Sequence, residues 1–246
     1  LALFIATAPG TAEPYQTGVV DLAITAKGGN RNTQGFLWYP TQQTEGEDHL
    51  HGNAVWQAIP VIPKAEPMPG QHPLVLLSHG LFGNARNQAW LAQALTQKGY
   101  MVAAIDHPGT TTFQRDPDQR RALWERPRDI SRTLDQVLKL EGFGAAIDQS
   151  RIYMAGHSLG GFTAVALAGG RYDPDWLGRL CPDHADDLAC NLFASWGIAQ
   201  TPAEREMMSR DWSDPRIAGF AVFDLGGTQS FTAQSLAAID RPMLVI

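Results

Sequence analysis

Cysteine is nearly absent: Cys181 and Cys190 are the only two in 246 residues. With His184 between them they fall short of the four ligands of a structural zinc site, so no metal is expected. No apolar run approaches the roughly 18 to 20 residues that span a bilayer, so no integral membrane segment is expected. Runs of like charge are also missing, and 19 Lys+Arg against 25 Asp+Glu leave a formal net charge of −6. That balance argues against a polyanion-binding surface and hence against nucleic acid as a partner. Internal repeats and low-complexity segments are not found. What is present is ordinary for a globular chain, 44% hydrophobic and 18% charged, with a length that suits one domain.

The chain opens on a short apolar run followed by Ala6-Thr7-Ala8, which fits the tail of a secretory signal with a small-x-small cleavage site. An ordinary N-terminal strand or arm fits as well. Cys181 and Cys190, with eight residues of a polar loop between them, either form a local disulfide, which requires an oxidising compartment, or stay reduced and apart. Both features point to a secreted or periplasmic protein.

Val19 to Ala26 and Gly35 to Tyr39 read as two strands, antiparallel and joined by the turn Lys27-Gly28-Gly29-Asn30. Residues 40–73, rich in Pro, Gly and polar side chains, read as a long surface excursion. Leu74-Val75-Leu76-Leu77-Ser78 is a continuous apolar run, the mark of a strand covered on both faces. A helix is expected over Gln88 to Lys98, with Trp90, Leu91, Ala94 and Leu95 inward and Gly99 as its stop. Met101 to Ile105 is the next buried strand, and Pro127 to Leu140 a helix with Ile130, Leu134, Val137 and Leu138 inward. Ile152 to Ala155 is a strand, Gly160 to Leu167 opens a helix, and residues 170–216 are irregular. Ala218 to Phe223 and Met243 to Ile246 are two more buried strands, with a short helix near Ala233 to Ala238. Buried strands alternating with helices predict a three-layer α/β architecture around a mostly parallel sheet.

Between the strand ending at Ala155 and the following helix lies Gly156-His157-Ser158-Leu159-Gly160-Gly161, a G-x-S-x-G in strand–turn–helix context. A nucleophilic serine needs such a sharp turn so that its hydroxyl stands clear of the sheet. The flanking glycines let strand and helix approach, and the helix N-terminus favours developing negative charge. Acyl transfer also needs two backbone N–H donors aimed at the oxyanion. One comes from the residue after the nucleophile, Leu159, and the other from the loop His79-Gly80-Leu81-Phe82-Gly83, through Leu81.

Together with Leu37-Trp38-Tyr39-Pro40, Leu77-Ser78-His79-Gly80-Leu81, Asp106-His107-Pro108-Gly109 and Arg126-Pro127-Arg128-Asp129-Ile130, this elbow resembles the α/β-hydrolase superfamily. Within it, the chain is similar to the predicted dienelactone hydrolases related to platelet-activating-factor acetylhydrolases. The resemblance implies a serine ester hydrolase acting on a small-molecule or lipid-like ester, with no cofactor. True dienelactone hydrolases use a cysteine nucleophile, and here the elbow holds Ser158, so that substrate is not carried over. An amidase or peptidase on the same fold, or a non-catalytic ligand-binding relative, are the competing expectations.

A serine hydroxyl needs a base, and the base an orienting carboxylate, in the chain order Ser, acid, His. Asp224 follows the buried strand 218–223, and the resemblance to acetylhydrolases supports it as the acid. The rival is a carboxylate just beyond Ile246. His184, between the cysteines, is a poor base, and His79 reads as a turn residue. His107 follows a strand end and is placed to line the site, whereas His49, His51 and His72 read as surface residues. The histidine is therefore expected past Ile246, in a longer chain than this one. Residues 171–216 occupy the usual place of a lid, where Trp176, Trp196, Trp212, Leu177, Leu180, Leu192 and Phe193 either line an acyl pocket or form a satellite core.

Overall fold

A computed structural model describes residues 14–26, 31–184 and 186–246. The Ala6-Thr7-Ala8 segment and the Lys27–Asn30 turn lie outside the described residues.

The apolar run expected to be doubly covered forms β5 (His72–Ser78), every residue of which is buried. Leu74 and Leu76 pack on one face, with Ile130 and Leu134 of α3 (Glu125–Val137) and Phe162 and Val165 of α4 (Leu159–Ala168). Val75 and Leu77 pack on the other face, with Ala89 and Ala92 of α1 (Ala89–Thr96). This period-2 alternation over two apolar layers makes the three-layer architecture. All residues of α4 are buried, as expected of a helix apolar on every side.

The remaining strands among the described residues are β1 (Gln16–Ile24), β2 (Thr33–Thr41), β3 (Asp48–Leu50), β4 (Ile59–Pro63), β6 (Met101–Ile105), β7 (Ile147–His157), β8 (Gly219–Phe223) and β9 (Met243–Val245). The nine form one sheet in the order β3-β4-β1-β2-β6-β5-β7-β8-β9. From β6 to β9 every pairing is parallel, whereas β2 is antiparallel to both β1 and β6. The C-terminal ends of β5, β7 and β8 therefore open on the same edge, where parallel α/β sheets place ligands.

Several expectations need correction. Residues 40–73 are not all excursion: β4 runs parallel to β1, with Val61 and Ile62 buried. The proline inside Ile59-Pro60-Val61-Ile62 hides this strand in the sequence. Trp90 and Ala94 of α1 point outward, because the sheet takes Ala89, Ala92 and Thr96, whose small side chains let the helix approach closely. His72 is buried, its two ring nitrogens facing the carbonyls of Gly99 at 2.9 Å and Met68 at 3.0 Å. β9 is an edge strand with Leu244 and Val245 exposed rather than buried.

The irregular stretch after α4 contains short helices, among them α5 (Trp176–Leu180), α6 (Leu188–Ser195) and α7 (Pro202–Ser209); α8 (Ala233–Ala237) lies further on. Cys181 and Cys190 are joined in a disulfide. Trp176 is wholly buried, donates from Nε1 to Tyr172 Oη at 2.8 Å and meets Phe193 edge-on. Leu177, Leu180, Leu192 and Trp196 pack on the same core.

Candidate active site

Ser158 sits between the end of β7 and the first residue of α4 at φ 51° and ψ −114°, a strained conformation for a residue with a Cβ. Two glycines make the turn possible. A Cβ on Gly156 would stand 2.0 Å from the carbonyl oxygen of Gly160, and one on Gly160 only 1.9 Å from that of Ser78. The Ser158 amide donates to Phe223 O at 2.9 Å, and its carbonyl accepts from Gly161 at 2.8 Å and Phe162 at 3.2 Å. The backbone is thus held on three sides while Oγ bonds to no described residue. It borders a cleft of about 480 Å³ whose walls include Trp56, Leu81, Trp90, Leu91 and Phe223. No described residue of 171–216 lines this cleft; Trp176 belongs to the main core with Phe162 and Val165, Trp196 packs against it, and Trp212 lies under the Arg128 guanidinium.

The amide of Leu159 belongs to the first turn of α4 and has no partner within the helix. In the loop after β5, Phe82 donates to Thr110 O at 2.8 Å and Gly83 to Gly80 O at 3.1 Å. The amide of Leu81 donates to no described residue. Asp224 follows β8 at φ 49°, with its amide on Ile246 O at 2.8 Å. Its carboxylate is 89% exposed and lies 3.9 Å from His157 Nε2. The chain then passes the nucleophile, since a Cβ on Gly226 would be 3.6 Å from Ser158 Oγ.

Beneath the loop lies a polar network that sequence reasoning missed. Arg126, 1% exposed, donates to His79 O at 2.6 Å, Thr110 Oγ1 at 2.5 Å, Ser78 Oγ at 3.1 Å and Thr163 Oγ1 at 2.9 Å. Asp129, fully buried, accepts two bonds from Arg31 at 2.9 and 2.8 Å, one from His107 Nδ1 at 3.0 Å and one from Arg132. Burial alone would raise the Asp129 carboxyl, but the His107 bond and the Arg31 guanidinium hold it well below the usual range. Burial, reinforced by the Arg126 charge, lowers His107 to about 3, so the ring is neutral. With Nδ1–H given to Asp129, Nε2 accepts from Ser78 Oγ at 2.9 Å. His107 is therefore buried beside the site and does not line it. His79 is equally enclosed, with Nδ1 on Gly80 O at 2.7 Å and Nε2 accepting the His107 amide at 3.0 Å. The available sequence signal was periodicity: Arg126 shares the inward stripe of Ile130, Leu134 and Val137.

The chain is similar to several known hydrolases. Residues 70–181 match the family model described as serine aminopeptidase, S33. Cutinase 2 of Thermobifida cellulosilytica is 32% identical over 130 residues, covering 52% of this chain and 44% of the cutinase. A bis(hydroxyethyl) terephthalate hydrolase of Streptomyces coelicolor is 27% identical over 192 residues, covering 77% of this chain and 47% of that protein. Among solved structures, a ferulic acid esterase from Streptomyces cinnamoneus superposes with a TM-score of 0.60 at 22% identity, over 97% of this chain and 66% of that one. This last likeness is one of fold. The chain has the α/β-hydrolase fold. It spans about half the length of the curated relatives it matches. The elbow and the loop after β5, two parts that α/β-hydrolases use for acyl transfer, both fall inside the matched span 70–181, and Asp224 falls outside it.

Proposed function

We propose that this protein is a serine hydrolase of the α/β-hydrolase family and cleaves carboxylic esters through an acyl-enzyme on Ser158. The observation that carries the reading is the unpartnered Ser158 Oγ on a strained turn, at the edge of an apolar cleft beside two unspent amides. Oγ attacks the ester carbonyl carbon as its proton passes to an imidazole base, and the carbonyl oxygen becomes an oxyanion held by the N–H groups of Leu81 and Leu159. Collapse expels the alcohol, which takes that proton back. Water, deprotonated by the same base, then attacks the acyl carbon and releases acid and free Ser158. Asp224 orients the imidazolium in this reading, its place after β8 on the edge where β7 ends being the support. His79 and His107 are ruled out as the base, because both ring nitrogens of each are engaged.

The relatives named for ester hydrolysis support an ester as substrate, small or lipid-like, and the Cys181–Cys190 disulfide supports an oxidising, extracytoplasmic compartment. A fluorophosphonate should label the full-length protein stoichiometrically at Ser158, read by peptide mass spectrometry, and Ser158→Ala should abolish the label. Absence of labelling in the folded protein would sink the proposal. The aminopeptidase description of the matched family favours one second reading, amide hydrolysis on the same serine. Turnover of p-nitrophenyl esters with none of the matched anilides rejects it.

A further inference from the structure

Leu81 and Leu159 lie on different elements, and nothing in either element alone sets the distance between their amides. Two hydrogen-bond paths leading to them start from one side chain. From Arg126 Nη2 a bond of 2.6 Å reaches the carbonyl of His79, two residues before Leu81. From Nη1 a bond of 2.5 Å reaches Thr110 Oγ1, and the carbonyl of that same Thr110 accepts the amide of Phe82, the residue after Leu81, at 2.8 Å. The Leu81 peptide is thereby pinned from both sides. The second path runs from Nε to Thr163 Oγ1 at 2.9 Å, and Thr163 Oγ1 donates to the carbonyl of Leu159 at 3.1 Å.

We propose, resting on the serine-hydrolase reading, that Arg126 is a positioning residue whose guanidinium sets the spacing and aim of the Leu81 and Leu159 amides. The chemistry of the group suits that task. A guanidinium is a rigid planar fork with five N–H donors, and four of its bonds here end on atoms of the two amide-bearing elements and of Thr110. Burying a charge in this way is costly, and an aliphatic side chain would fill the space without that cost. Burial pulls the guanidinium down to about 9, so it remains protonated at neutral pH. Oxyanion donors act over a narrow window, roughly 2.7–3.1 Å, so a shift of a few tenths of an ångström between the two elements weakens the stronger binding of the transition state.

Arg126 touches no substrate in this scheme, so its loss should lower kcat with little change in KM. Arg126→Lys keeps the charge but not the fork, and Thr163→Val removes only the branch to Leu159. In the full-length protein, with p-nitrophenyl butyrate as substrate, Arg126→Lys should reduce kcat by about 10- to 100-fold with KM within about twofold. The inhibition constant of an alkyl boronic acid, whose tetrahedral Ser158 adduct places an oxygen on the two amides, should rise by a similar factor. Thr163→Val should change both quantities in the same direction by less. A folded Arg126→Lys with wild-type kcat and wild-type boronate affinity would overturn the proposal. So would a fall in kcat with unchanged boronate affinity, which is what a merely structural role predicts. If Arg126→Lys does not fold, Thr163→Val decides, because wild-type values there break the path to Leu159. Failure of wild-type protein to react with a fluorophosphonate is a different result, and it removes the serine-hydrolase reading itself.

Discussion

Replacing Asp129 with alanine tests whether the network under the loop holds the fold or merely fills it. The carboxylate is fully buried and is the acceptor for Arg31, His107 and Arg132. Removing it takes away the nearest anion of the Arg31 guanidinium, itself only 6% exposed, leaving Glu125 at 3.9 Å, and leaves His107 Nδ1–H without an acceptor. Breaking a buried pair from one side costs about 3–5 kcal/mol, because the surviving charge remains desolvated. For a chain of this size that corresponds to a fall in Tm of roughly 6–20 °C. Asp129→Asn keeps the shape and one acceptor, and should cost less than alanine. Urea unfolding followed by tryptophan fluorescence gives the midpoint and m-value, with Asp148→Asn as the control. Asp148 pairs with Arg151 on the surface, where screening by solvent leaves little to lose, so its midpoint should not move. A loss below about 1 kcal/mol for Asp129→Ala, at unchanged m, would refute the view that this carboxylate balances the buried guanidinium.

Gly160→Ala sets a methyl group against the backbone oxygen of Ser78, and neither partner can turn away. It should destabilise by about 3 kcal/mol or more and abolish fluorophosphonate labelling, and a fully labelled, stable variant would contradict the close approach of α4 to β5. Trp90 is 56% exposed on the cleft wall, so Trp90→Ala should leave Tm nearly unchanged and raise KM for bulky esters roughly fivefold, about 1 kcal/mol of lost apolar contact. His79 and His107 are both shifted down, chiefly by burial and then by the Arg126 charge. The unfolded chain then binds protons that the folded chain refuses, so their contribution is complete above about pH 6.5 and is lost as pH falls toward 3. Tm measured from pH 7.5 to 5 should decline from near pH 6.5, and a flat profile would oppose the neutral assignment of these rings.

Where residues face one environment throughout, the sequence is explicit. β5 and β6 are apolar at nearly every position, and the elbow needs two glycines at fixed offsets, so the central sheet and the Ser158 turn were legible. Elements whose character comes from a partner distant in sequence were not. β4 is short and broken by Pro60, and acquires its role only beside β1. α1 turns Ala89 and Ala92 inward and leaves Trp90 outside, against the expected inward face. Arg126 and Asp129 enter the sequence reading only within a motif of the resemblance, and their partners Ser78, His79, His107 and Thr163 are brought to them by other elements of the fold. The tryptophans of 171–216 left a pocket and a core equally open, and Trp176 finds its polar partner in Tyr172 and is buried.

The cleft also separates two jobs by chain segment. Its floor comes from the ends of β5 and β7, with the buried Arg126 bonded beneath, whereas Trp56 and Trp90 reach it from the β3–β4 connection and the outer face of α1. Those two tryptophans lie on surfaces that the core does not constrain. In the proposed reading, substrate preference is open to redesign by loop exchange at residues 52–57, whereas His51 packs on the buried Phe36 and Trp38 and should be kept.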